Sequence, residues 1–235
     1  VNDTAPVNET APVRTSALFL AGTVLCFVVP PLAVGVLAPA PPPPGALLAL
    51  ALAELVSAAA LVFWWLRRRG LPFSALGLTS RSWGRDALLG AATVPPRLLL
   101  EFAVLIPAAG GADNPGVQEV LTNASAGAVA LVATAVLGVV GGGLAEELYF
   151  RGFLLGALPR LFVHRRAALY GAALVSVLLF AGLHLPSSGP DVVAIVLAGL
   201  VYTALFLATR RLTATVVAHS LWNISALVAV LALYG

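Results

Sequence analysis

The sequence predicts an all-α, polytopic transmembrane helical bundle of about seven to eight spans, on three observations. Mean hydropathy is +1.00, with 60% hydrophobic and only 10% charged residues, far from the composition of a soluble globular domain. Apolar runs near the ~20 residues that a helix needs to cross a bilayer recur along the 235 residues. The thirteen arginines, with no lysine, fall mostly between alternate runs. A net charge of +3 spread in this way gives no basic surface for nucleic acid, so the expected surroundings are membrane lipid.

Residues 1–15 are polar, carry Pro6 and Pro12 and predict a flexible N-terminal tail, while 16–235 predict one membrane-embedded domain with its chemistry-bearing motifs in 141–225. The first apolar run, 16–38, holds Pro30-Pro31, which should kink it, and the single cysteine, Cys26, a small buried hydrophobe by its surroundings. The proline-rich stretch 40–45 predicts a stiff extended connector. The second span, 46–66, ends in Trp64-Trp65 and Arg67-Arg68-Arg69, the aromatic and cationic pattern of a membrane surface.

A polar hinge to Arg85 leads into the third span, 86–108, with Pro95-Pro96, Arg97 and Glu101; the loop over 110–123 follows. The fourth apolar region begins near Ala124 and runs through glycines 141–143 into Glu146, Glu147 and Arg151, then an amphipathic stretch over 152–162. The fifth span, 167–185, the sixth, from the turn at 186–191 to Thr209, and the seventh, 212–234, complete the count. Residues 124–163 as one helix would measure about 60 Å at 1.5 Å per residue, twice the hydrocarbon thickness. A break is therefore expected, with glycines 141–143 as the hinge and an eighth, re-entrant or surface segment as its consequence. Placing alternate loops on opposite sides gathers every arginine except Arg97 on one side, which the positive-inside rule makes cytoplasmic together with the N-terminus.

Charge inside such a chain is costly, about 2.5–3.5 kcal/mol per carboxylate on insertion scales, so intramembrane ionisable residues are functional candidates. Glu147 and Arg151 are four apart and share a helical face, whereas Glu146 points about 100° away. One acid can be held by Arg151 while the other faces a cavity. Arg97 and Glu101, also four apart, read as a structural pair; Glu54 has no partner in sequence. Tyr149, Phe180 and Trp222 read as packing residues.

Counted from the arginines at 1.5 Å per residue, His219 lies roughly 12 Å deep, Glu146 21 Å and His184 27 Å, so tilt must level them if they share a site. A converged set suits hydrolysis. A desolvated carboxylate can take a proton from water with a histidine beside it. His219 and Asn223, four apart, can donate to the oxyanion of a tetrahedral intermediate. Alternatively, Glu146, His184 and His219 could ligate zinc with an open fourth position for water. The chain holds no His-Glu-x-x-His, Gly-x-Gly-Asp or Gly-x-Ser-x-Gly motif.

The order Glu146-Glu147-x-x-x-Arg151, Phe180-x-x-x-His184, His219-x-x-x-Asn223 on late spans resembles the CPBP (Abi) family, the CAAX-protease and bacteriocin-processing group of intramembrane peptidases. The resemblance covers about residues 140–225. It implies an all-helical bundle of about eight spans, with the site in a cavity open to the cytosol. Glu146 would be the water-activating base with His184 assisting, His219 and Asn223 would stabilise the oxyanion, and Glu147 and Arg151 would support them. The implied enzyme is an intramembrane endopeptidase cutting near the C-terminus of a membrane-associated substrate, such as a prenylated CAAX protein. A metal-free, glutamate-dependent mechanism is favoured over zinc. The rivals are a non-catalytic scaffold or immunity protein of the same fold and an ion-coupled transporter using Glu54, Glu101 and Glu146.

Overall fold

The computed structural model describes residues 10–235, with side chains from position 19, and every regular element among them is helical. Of the tail expected over 1–15, residues 1–9 lie outside the described residues, and from Thr10 the chain is already helical. Among the described residues, seven helices are long and apolar enough to cross a membrane. Large apolar side chains such as Leu32, Val56, Leu88, Val129, Leu178 and Val193 face outward, as expected where the surrounding solvent is hydrocarbon.

The first crossing is α1 (Thr10–Phe27) followed by α2 (Val29–Leu37). The break between them falls where Pro30 and Pro31 enter the first turn of α2, a place where a missing N–H removes no helical bond. Cys26 is fully buried. Helix α3 (Pro44–Arg69) starts on the prolines of the connector and ends with Arg67, Arg68 and Arg69 in its last turn, complementing the helix dipole. Arg68 and Arg69 lie over the rings of Trp64 and Trp65.

The third crossing is α4 (Trp83–Ala92) and α5 (Val94–Leu100), separated at Thr93 ahead of Pro95-Pro96, then a π-helical turn over Glu101–Leu105 and the short α6 (Ile106–Ala108). The expected loop over 110–123 contains a helix, α7 (Pro115–Ala124). The side chain of Asn114 accepts from the N–H groups of Gly116 and Val117, at 2.8 and 3.3 Å, and Pro115 takes the first helical position.

The expected hinge at glycines 141–143 is absent. The chain turns at Ser125–Gly127 instead, and α8 (Ala128–Val136) continues into a π-helical segment, Leu137–Ala157, and a short 3₁₀ turn, Leu158–Leu161, as one 34-residue crossing. Hydrogen bonds five residues apart put more residues into each turn, so the same chain covers less height than an α-helix would. The rest is α9 (Arg165–Leu183), α10 (Gly189–Thr209) and α11 (Leu212–Tyr234). Ser188 caps α10: its hydroxyl accepts from the Asp191 N–H and donates to the Asp191 carboxylate.

The π-helical segment is the axis of the bundle, packed between α3 and α11 with α9 also against it, while α4 lies on α11. Tyr149, Phe150 and Phe153 project from it into an aromatic core with Phe27, Trp65 and Phe180. The arginine-bearing ends sit together. The Gly77 carbonyl accepts from Leu212 N–H at 3.1 Å, Asp86 pairs with Arg211 at 2.9 Å, and a Cβ on Gly156 would lie 2.6 Å from the Ala75 carbonyl oxygen. Gly77 has φ of 79°, and a Cβ there would stand 2.8 Å from the Arg210 carbonyl, so this junction needs glycine twice over.

Candidate active site

Glu147 and Arg151 form the pair their spacing predicts, Nη1 to Oε1 at 2.9 Å, with both side chains fully buried. The same Oε1 lies 2.9 Å from Nδ1 of His219 on α11. Arg151 also donates to the Gly199 carbonyl at 3.3 Å, and its guanidinium sits 4.8 Å from the Phe180 ring and 5.3 Å from that of Tyr202. Tyr202 stacks on the His219 imidazole, with centroids 4.5 Å apart and planes 19° from parallel. His219 is thereby fixed in position and plane.

The donor roles follow from chemistry. Oε1 of Glu147 already accepts from Arg151, so the proton of the second contact belongs to His219 Nδ1. Nε2 of a neutral His219 ring is then an acceptor, and it donates only when the ring is an imidazolium. Asn223, one turn on, donates from Nδ2 to the Gly138 carbonyl at 2.7 Å, which leaves its second amide hydrogen free. A Cβ on Gly142 would lie 2.6 Å from Asn223 Nδ2 and 3.2 Å from His219 Nε2. Gly141 faces the Glu54 carboxylate and Gly143 faces Ser220. The three glycines are approach points for α3 and α11, and this is why they do not form a hinge.

Glu146 points the other way, into a cavity of about 200 Å³ whose walls include Glu54, Phe150, Phe180 and His184. Its Oε2 is buried with no partner among the described residues. His184, just past α9, donates from Nδ1 to the Phe180 carbonyl at 2.7 Å, because a carbonyl can only accept. In the neutral ring Nε2 then carries a lone pair. His184 also lines a second cavity, of about 180 Å³, together with His219, Asn223, Arg97 and Glu101. The fold brings Glu146 and His184 to one cavity and His184, His219 and Asn223 to the other, with His184 and Phe180 common to both.

A metal needs ligands that converge. Among the described residues no three His, Cys, Asp or Glu side chains come together so as to hold an ion, and the Glu146, His184 and His219 set is divided between the two cavities. The side chains as placed do not fit the zinc set.

Glu54, with no partner in sequence, enters the first cavity because α3 packs on the π-helical segment at Gly141. Arg97 and Glu101 pair as expected, but Arg97 also donates to the Tyr202 hydroxyl and lies 3.7 Å from the ring centroid of Trp222. The signal available for both was an ionisable residue in mid-span.

Residues 128–225 match the family model described as type II CAAX prenyl endopeptidase Rce1-like. No curated protein and no solved structure matches the chain. With its seven apolar helices and this match, the chain is an integral, multi-pass membrane protein. The family whose model residues 128–225 match is thus the one that the ordered motifs resemble, and the match takes in every candidate site residue from Glu146 to Asn223.

Proposed function

We propose that this protein is a glutamate-dependent intramembrane endopeptidase that hydrolyses a peptide bond near the C-terminus of a membrane-associated substrate, of which a prenylated CAAX protein is the favoured class. The carrying observation is that Glu146 and His184 face one cavity, with His184 Nδ1 held by the Phe180 carbonyl and Nε2 left as a lone pair. A water between them can lose its proton to the carboxylate, with Nε2 orienting it, as its oxygen attacks the scissile carbonyl carbon. The carbonyl electrons move to oxygen. In this reading the free amide hydrogen of Asn223 meets that charge, joined by Nε2–H of His219 when the ring is protonated.

Collapse of the tetrahedral intermediate expels the amine, which takes back the proton from Glu146 or through His184. Glu147 and Arg151 position His219 without touching the substrate. No metal enters these steps. The arginine-bearing end is assigned to the cytoplasm together with the N-terminus, on the grouping of the hinge, the end of the π-helical crossing and the α10–α11 turn at one end of the bundle.

The test is cleavage of a fluorogenic prenylated CAAX peptide by purified protein in detergent, for wild type, Glu146→Ala and His184→Ala, with and without a zinc chelator. Loss in both variants with indifference to chelator is the expected result. Chelator inhibition reversed by zinc overturns the metal-free mechanism, and no cleavage by folded wild type overturns this substrate class.

A further inference from the structure

From the second cavity, we infer that Arg97 and Tyr202 form a receptor for the free C-terminal carboxylate of a short apolar peptide, a specificity subsite resting on the peptidase reading above. The cavity has the candidate oxyanion donors His219 and Asn223 in its wall and Arg97 lining it as well, with apolar surface from Ile195, Ala198 and Trp222. A guanidinium has five N–H donors. In Arg97, Nε is taken by Glu101 and one Nη1–H by the Tyr202 hydroxyl, so three N–H groups remain without an acceptor among the described residues. Glu101 holds the Nε edge and leaves the Nη edge for a second carboxylate.

Tyr202 supplies another donor. Its oxygen accepts from Arg97, so its own hydrogen is uncommitted, and the residue is 1% exposed. The pair is built rigidly: the indole of Trp222 covers the Arg97 guanidinium at 3.7 Å, and the Tyr202 ring stacks on His219. A peptide whose scissile carbonyl lies at Asn223 would run its downstream residues along the apolar wall toward Arg97. A terminal carboxylate there gains charge-assisted hydrogen bonds, which the matching amide cannot reproduce.

The experiment compares an acetylated tripeptide of small apolar residues, as acid and as amide, in equilibrium binding to the full chain in detergent. Wild type is expected to prefer the acid by roughly 10- to 100-fold. Arg97→Gln, with Arg97→Gln/Glu101→Gln as the charge-balanced control for folding, is expected to remove that preference, and Tyr202→Phe to reduce it with the ring stack retained. Equal affinity of wild type for acid and amide, or binding of neither, overturns the inference, and so does an acid preference that persists in a folded Arg97 variant. Acid preference without cleavage of the prenylated substrate leaves the carboxylate receptor standing and overturns that substrate class, whereas cleavage without acid preference keeps the substrate class and overturns the receptor.

Discussion

His219 donates from Nδ1 to Oε1 of Glu147 across 2.9 Å, joining α11 to the π-helical segment through an oxygen that Arg151 also holds. A carboxylate that holds a buried guanidinium and a buried imidazole N–H is costly to remove by halves. Glu147→Ala leaves the Arg151 guanidinium buried without its countercharge, and the expected loss of stability is about 3–5 kcal/mol. Replacing both residues with apolar side chains of similar volume should recover much of it. Thermal unfolding in detergent of the two variants checks this, and a double variant as unstable as the single one would show that the ion pair is not the cause.

Gly142 predicts a loss of activity without a matching loss of fold. Gly142→Ala places a methyl 2.6 Å from Asn223 Nδ2 and 3.2 Å from His219 Nε2, so the two candidate oxyanion donors must shift. Removing one such donor costs about 100- to 1,000-fold in kcat, and the variant should fall in that range, close to Asn223→Ala. Gly182 is the control: nothing lies within 4 Å of its Cβ direction, so Gly182→Ala in α9 should be neutral or slightly stabilising. Turnover of the prenylated peptide by the three variants decides it.

A third prediction concerns the packing of α3 on the axis. A methyl on Gly141 collides with the Glu54 carboxylate, so the two positions should be coupled. Gly141→Ala should destabilise alone, and Glu54→Ala should relieve part of the effect, with an interaction of about 0.5–3 kcal/mol in a double-mutant cycle. Strictly additive effects in chemical unfolding would place Glu54 away from Gly141.

Much of this arrangement was legible in local spacing. The seven crossings follow from hydropathy, and the Glu147–Arg151 and Arg97–Glu101 pairs follow from a separation of four residues. What was hidden depends on contacts between distant spans. Glu54 gains its meaning from Gly141, and His219 gains its tautomer from Glu147, 72 positions away. In sequence, glycines 141–143 suggest a hinge because glycine weakens a helix, whereas in the fold the absent side chains let α3 and α11 approach. Helix α7 had a readable signal in Asn114-Pro115, a capping residue before a proline at the first helical position, but its loop-like composition masked it.

The tautomer of His184 yields a prediction that separates chemistry from packing. Nδ1 is committed to the Phe180 carbonyl at 2.7 Å, and the ring lies 4.4 Å from the Phe180 ring, so structure depends on the near side of the imidazole and the proposed reaction on the far side. An asparagine at this position can place its amide N–H where Nδ1–H stands, but it offers nothing at Nε2. His184→Asn should therefore keep the fold and lose activity by about 100- to 10,000-fold, the usual contribution of a positioned acid–base group. Nitrogen-15 spectroscopy of histidine-labelled protein should show a neutral His184 protonated at Nδ1. Observation of the Nε2–H tautomer would remove the acceptor from the Glu146 cavity, and the water-activating role of His184 would fall with it.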